Sequence, residues 1–217
     1  MPEKLTDVEV RILGSLVEKQ LTTPEYYPLT INGLVTACNQ KNNRDPVVTY
    51  DEPTVARALE DLRDRNLVYV FYGSTSRVPK YKHMLPSVYE LDPGEVAVVS
   101  VMMLRGPQTL GQLRERTARL HQFANLGEVQ ETLDGLMRRE GPLVAKLPQQ
   151  PGQKEARFAH LLAGEIDIEQ LAATVARPSR GLSGSERAEE FEQRVARVES
   201  EIAEMRVMFE EFRKQFE

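Results

Sequence analysis

TVARALEDLRDRNLVYV, residues 54–70, decides how the rest of the chain is read. Val55, Leu59 and Leu62 recur at helical spacing on one stripe, with charged residues filling the opposite face. Asp51 stands before them as an N-cap, and Pro53 falls in the first turn, where its missing N–H is harmless. After Asn66 the period drops from 3.6 to about 2, and LVYVFY (67–72) brings the β-branched and aromatic residues of a strand. The turn GSTS (73–76) and then RVPKYKHML (77–85) complete a hairpin.

Toward the N-terminus, Thr6 or Asp7 caps a first helix with Val8, Ile12, Leu16 and Val17 on one side, ending near Gln20. The two prolines of TTPEYYPLT (22–30) make a connector, Thr30 caps a second helix running to about Asn39, and NQKNNRDPVVTY (39–50) is a loop. Three helices followed by a two-stranded hairpin is the order of a winged helix, with the third helix packed on the first two and the hairpin as the wing.

The order then returns. An apolar helix over residues 95–104 ends at Arg105-Gly106-Pro107, Thr109 opens another through Leu120, and Asn125 opens a third. EVQETLDGLMRREGPLVAKL (128–147) repeats the deciding stretch: Val129, Leu133 and Leu136 stand 74 residues after Val55, Leu59 and Leu62, and Leu143-Val144 answers Leu67-Val68. AKLPQQ, the turn PGQ and KEARFAHLL predict a second hairpin over residues 145–162. The expected fold class is therefore mainly α with small β-hairpins (α+β): two tandem winged-helix domains, 1–92 and 93–163, a small and polar linker over 164–185, and a C-terminal coiled-coil helix over 186–217. In that last segment Ala188, Phe191, Val195, Val198, Ile202, Met205, Phe209, Phe212 and Phe216 alternate spacings of three and four, a seam that needs a partner. A homodimer through this helix is expected, with packing back onto the same chain as the alternative.

Composition limits the function. At 217 residues, 41% hydrophobic and 28% charged, the chain has room for two small globular domains, and no apolar run is long enough for a membrane span. The start MPEKLTDVEV lacks the basic and apolar stretches of an export signal, which predicts a cytoplasmic protein. Net charge is −5, but residues 186–217 hold ten acids and six bases, so the body carries only −1. Cys38, the one cysteine, reads as a small core side chain. His83, His121 and His160 stand far apart without the spacing of a zinc site, and His83, beside Lys82, reads as an exposed hairpin residue. No phosphate loop or nucleophile motif is present, so the expectation is a protein that is not an enzyme and takes no cofactor or metal.

RILGSLVEKQLTTPEYYPLTINGLVTACNQKNNRDPV (11–47), RVPKYKH (77–83), EVAVVSVMMLRGPQTLGQLRERTARL (95–120) and ARFAHLL (156–162) closely resemble the YceH family, uncharacterised bacterial proteins with two winged-helix domains. The resemblance covers about the first 165 residues; the tail is richer in phenylalanine than the family pattern. It implies the fold and leaves the biochemical role open.

A winged helix that reads DNA lays its third helix in the major groove and brings its wing to the backbone or minor groove. Here the face opposite the core stripe holds Pro53, Arg57, Glu60, Asp61 and Asp64, and its counterpart Glu131, Asp134 and Arg138, both net acidic. Positive charge gathers instead at Lys41, Asn43 and Arg44 in the loop and at Arg77, Lys80, Tyr81 and Lys82 on the wing, the candidate nucleic-acid contacts together with Arg57. Two readings follow: a dimeric DNA-binding protein of the transcription-regulator kind, and, as the alternative, a protein-binding scaffold whose acidic third helices meet a basic partner.

Overall fold

The computed structural model describes residues 4–72, 78–149 and 155–164, all within one compact unit, Met1–Ile168. About half of these residues are helical, and the rest include two small antiparallel sheets. The predicted linker and the heptad residues Phe191, Val195, Val198, Ile202, Met205, Phe209, Phe212 and Phe216 lie outside the described residues, as do Arg77 and the tips of both hairpins.

The first half runs α1 (Asp7–Thr22), a 3-10 turn (Pro24–Tyr26), α2 (Ile31–Cys38), α3 (Glu52–Asp64), β1 (Val68–Phe71), β2 (Lys80–His83) and a short α4 (Leu85–Tyr89). Caps set the starts: the Thr6 side chain accepts from the Glu9 N–H, Thr30 from Gly33 and Asp51 from Thr54, each relieving an orphan donor of the first turn. Val55, Leu59 and Leu62 are buried against α1 and α2, as their spacing demands. β1 and β2 pair antiparallel, with Val68 opposite His83 and Phe71 opposite Lys80. Helix α4 was not expected from the sequence. It is a single turn that starts at Leu85-Pro86 and ends on Glu90 in the left-handed region (φ 51°).

The second half runs α5 (Pro93–Arg105), β3 (Gln108–Thr109), α6 (Leu110–Thr117), α7 (Leu126–Arg138), β4 (Val144–Lys146) and β5 (Arg157–His160). Its sheet has three strands, in the order β3-β5-β4, where the sequence predicts only a hairpin. Two residues are too short to show a strand's period, which is why β3 escaped notice. Helix α6 ends at Thr117, one turn before the predicted Leu120, where the Thr117 carbonyl takes both the Leu120 and His121 N–H groups.

The two halves repeat each other beyond the helical stripe. In the first, Thr6 and Glu9 form a capping box, and Glu9, 2% exposed, also takes Arg65 just past the end of α3. In the second, Asp92 and Glu95 form the box, and Glu95 takes Arg139 at 2.7 Å just past the end of α7. Arg139 also donates to the Tyr89 and Glu90 carbonyls, fastening α7 to the connection between halves. Leu67 and Leu143 play one role as well. The N–H of each bonds the last core leucine of its helix, Leu62 or Leu136, and the carbonyl of each takes the residue just after the returning strand, Met84 or Leu161.

The halves share one continuous core. The first helix of each, α1 and α5, lie along one another, and Gly14 makes the close approach possible, since a Cβ there would meet Leu104 at 3.0 Å and the Met103 Cβ at 3.1 Å. Among the described residues no helix is long and apolar enough to cross a membrane.

Candidate nucleic-acid interface

The residues singled out on the first hairpin divide by strand parity. Side chains alternate across a strand and face their cross-strand partners, so Lys80 and Lys82 share a face with Phe71 and Tyr69, opposite them in register. That face is open: Tyr69 is 59% and Phe71 46% exposed, Lys82 is exposed and Lys80 partly so. Tyr72 and Val78, at the mouth of the turn, are exposed too. Two aromatics and two lysines thus form one polar-apolar surface, whereas the sequence points to Tyr81 as its aromatic. Tyr81 turns to the inner side, half-buried against the core, and its backbone pairs with Leu29 through Tyr81 N–H to Leu29 O at 2.7 Å. The register could have found Tyr69 and Phe71, had the length of the turn been known.

His83 is also corrected. It is 3% exposed, packed 6.2 Å from the Tyr27 ring, with Nε2 on Gln20 Oε1 and its backbone N–H donating to the Tyr27 hydroxyl at 2.8 Å. Its Nδ1 is buried without a partner, and burial, with the charge of Lys82 adding, pulls its pKa down to about 4. Position 83 follows two lysines in sequence, but parity sends it to the inner face opposite Val68.

The loop after α2 separates into a strap and a tip. Arg44 is buried, its side chain fully covered. It pairs with Glu18 at 2.6 Å and donates to the Ala37 and Asn43 carbonyls, so it holds the loop to α1 and α2 and presents no guanidinium to a phosphate. Arg11, also buried, reaches the Cys38 and Pro46 carbonyls, and the Asp45 N–H donates to Leu104 O at 2.9 Å, pinning the loop to α5. Buried arginines satisfied by carbonyls and a carboxylate are structural groups. Lys41 and Asn43 remain at the exposed tip, Asn43 in the left-handed region (φ 61°) that asparagine tolerates.

The loop and hairpin adjoin opposite ends of α2. The hairpin is bound through Leu29 to the N-terminal end of α2, the loop leaves its C-terminal end, and eight residues of helix span about 12 Å. The hairpin adjoins α1 through β2 and α3 through β1, and the exposed side of α3 carries Glu52, Arg57, Glu60, Asp61, Arg63 and Asp64. Arg57 is therefore exposed, but among acids. Burial, followed by small electrostatic influences that include Glu60 and Glu52, raises the Tyr81 phenol from its ordinary value. Basic hairpin and acidic helix stand side by side.

This arrangement defines a class: a mixed α/β protein, duplicated in its core contacts, with an aromatic-basic hairpin as its most distinctive open surface. The chain matches the family described as "Protein of unknown function, DUF480" over residues 5–153. It is 49% identical over 220 residues to a UPF0502 protein of Geobacter sulfurreducens, covering 98% of each chain. It is 48% identical to one of Geotalea uraniireducens, covering all of both, and 55% identical over 165 residues to one of Opitutus terrae, covering 76% of this chain and 72% of that relative. The chain belongs to this DUF480/UPF0502 family of uncharacterised bacterial proteins.

Proposed function

We propose that the chain is a tandem winged-helix protein, as the YceH resemblance implies, and that it binds duplex DNA through its first wing without catalysing a reaction. The observation that carries this reading is the open hairpin face on which Tyr69 and Phe71 stand opposite Lys82 and Lys80. Lysines neutralise phosphates, and exposed aromatic side chains stack on bases or wedge into a groove. The recognition helix of the motif, α3, is acidic here, so it contributes little to backbone grip, and the reading favours wing contacts with limited sequence discrimination. Pairing through the 186–217 segment would present two wings to one duplex.

The test is fluorescence anisotropy of the full chain on a random-sequence duplex at low salt. Tyr69→Ala with Phe71→Ala is expected to weaken binding about tenfold while leaving its salt dependence in place. The second reading, a protein scaffold, draws on the acidic α3 face beside the wing. Glu60→Lys with Asp61→Lys and Asp64→Lys separates the two: DNA binding through the wing tightens as a repulsive face turns attractive, whereas a basic protein partner is lost. Absence of DNA binding by the wild-type chain at low salt overturns the first reading.

A further inference from the structure

A second basic site is built from residues the wing does not use. Between the C-terminal ends of α1 and α5, the loop tip and α6 lies a cavity of about 330 Å³ lined by Glu18, Thr22, Asn43, Arg105, Arg116 and Arg119. Val101, Leu104 and Leu120 give it an apolar wall. A neighbouring recess shares Glu18, Thr22, Asn43 and Arg119 and adds Lys19 and Lys41 at its edge.

The arginines here are held by neutral groups. Arg105 donates to the Asn43 side-chain oxygen and Arg116 to that of Gln108, and neither forms an ion pair among the described residues; nor does Arg119. Of the two acids in the lining, Glu18 is already taken by the buried Arg44, leaving Glu115 against three guanidinium groups and two rim lysines. Burial, and after it the charge of Arg116, lowers the Arg105 guanidinium from its ordinary value, with Glu18 and Glu115 opposing the shift. Amide oxygens fix the direction of a guanidinium without cancelling its charge, so the arrangement is oriented toward an anion.

We propose that this cavity binds a small phosphate-bearing molecule, the phosphate taken by Arg105, Arg116 and Arg119 and an organic portion laid against Val101, Leu104 and Leu120. Planar guanidinium forks match phosphate oxygens in pairs, and the excess charge suits a dianion better than a single carboxylate. The volume is that of a small-molecule pocket, and its recessed position between helices does not suit the convex backbone of a duplex. Because the walls come from both halves, a bound ligand would bridge α1, the loop tip, α5 and α6.

Isothermal titration calorimetry of the full chain at matched ionic strength tests this, with inorganic pyrophosphate and adenosine triphosphate as probes. At least one probe is expected to bind with a Kd below about 1 mM, and Arg105→Gln with Arg116→Gln to weaken it about tenfold or more. Tighter binding of adenosine triphosphate than of pyrophosphate assigns the apolar wall to an organic portion; equal binding limits the site to the phosphate itself. Arg119→Ala, at an exposed position, is expected to weaken binding at least about threefold with an unchanged thermal melt, which guards against a variant that fails to fold. Lys80→Glu with Lys82→Glu should leave it intact, keeping this test independent of the wing. No binding of either probe, or binding that survives the double arginine variant, overturns the proposal.

Discussion

His83 shows how one residue's position relative to its neighbours outweighs its type. Lysine on one side of it and an exposed hairpin around it argue for a solvated imidazole, yet alternation along β2 buries it beside Tyr27 with Nδ1 unpartnered. A second proton would have to be placed on that nitrogen. The folded pKa of about 4 lies below the ordinary 6.5, so the unfolded chain takes up the proton first as pH falls. Stability contributed by neutral His83 is therefore complete above about pH 6.5, declines as pH drops toward 4, and changes no further below it. The full loss is on the order of 3 kcal/mol. Urea unfolding at pH 7 and pH 4.5 should show a smaller fall for His83→Gln than for the wild type; equal falls would contradict the burial. Cys38 was legible as a core residue because it lay on an apolar helical stripe, and burial pushes its thiol up to about 11, so it should stay unreactive to a neutral-pH thiol reagent until the chain unfolds.

At the scale of elements, the helices were legible wherever a capping side chain stood before a periodic stripe, as at Thr30, Asp51 and Asn125. Elements of one turn or two residues, α4 and β3, carry no period and were missed. The candidate surface was half legible: Lys80 and Lys82 announce themselves by charge, but Tyr69 and Phe71 join them only through the strand register, and Arg44 leaves the surface because Glu18 lies one helix away and far off in sequence. The paired Glu–Arg latches escaped for the same reason, since each spans more than forty residues. Glu95 is nearly buried and holds both the Asp92 N–H and Arg139, so Arg139→Met should leave a carboxylate without its counter-charge. The expected cost is about 2 kcal/mol, below the fully buried range because Arg139 is partly exposed. Chemical denaturation measures it, and a change within about 0.5 kcal/mol would remove the latch from the account.

For the whole molecule, the governing feature is that the two repeated halves share a core through α1 and α5. Sequence periodicity identified both helices as apolar, but only their packing shows that each covers the other. Gly14 sits in a close contact between the helices, with the Met103 Cβ, which cannot rotate away, 3.1 Å from any added Cβ. Gly14→Val should destabilise the chain by about 1–3 kcal/mol, opposing the gain in helix propensity a glycine replacement otherwise brings. A melt that rises in this variant would mean the interface has slack.

The first hairpin packs beside the acidic α3, and its open face carries Lys80 and Lys82, the proposed contacts to a duplex. The most direct measurement of its role is the salt dependence of duplex binding by the full chain, before and after Lys80→Glu with Lys82→Glu. Each phosphate neutralised adds a slope of about −0.9 to log K against log salt, so two wing lysines predict a slope of at least about −1.8 that flattens by that amount, with loss of affinity, in the double variant. An affinity and slope unchanged by the substitution would contradict the wing as the DNA-binding surface.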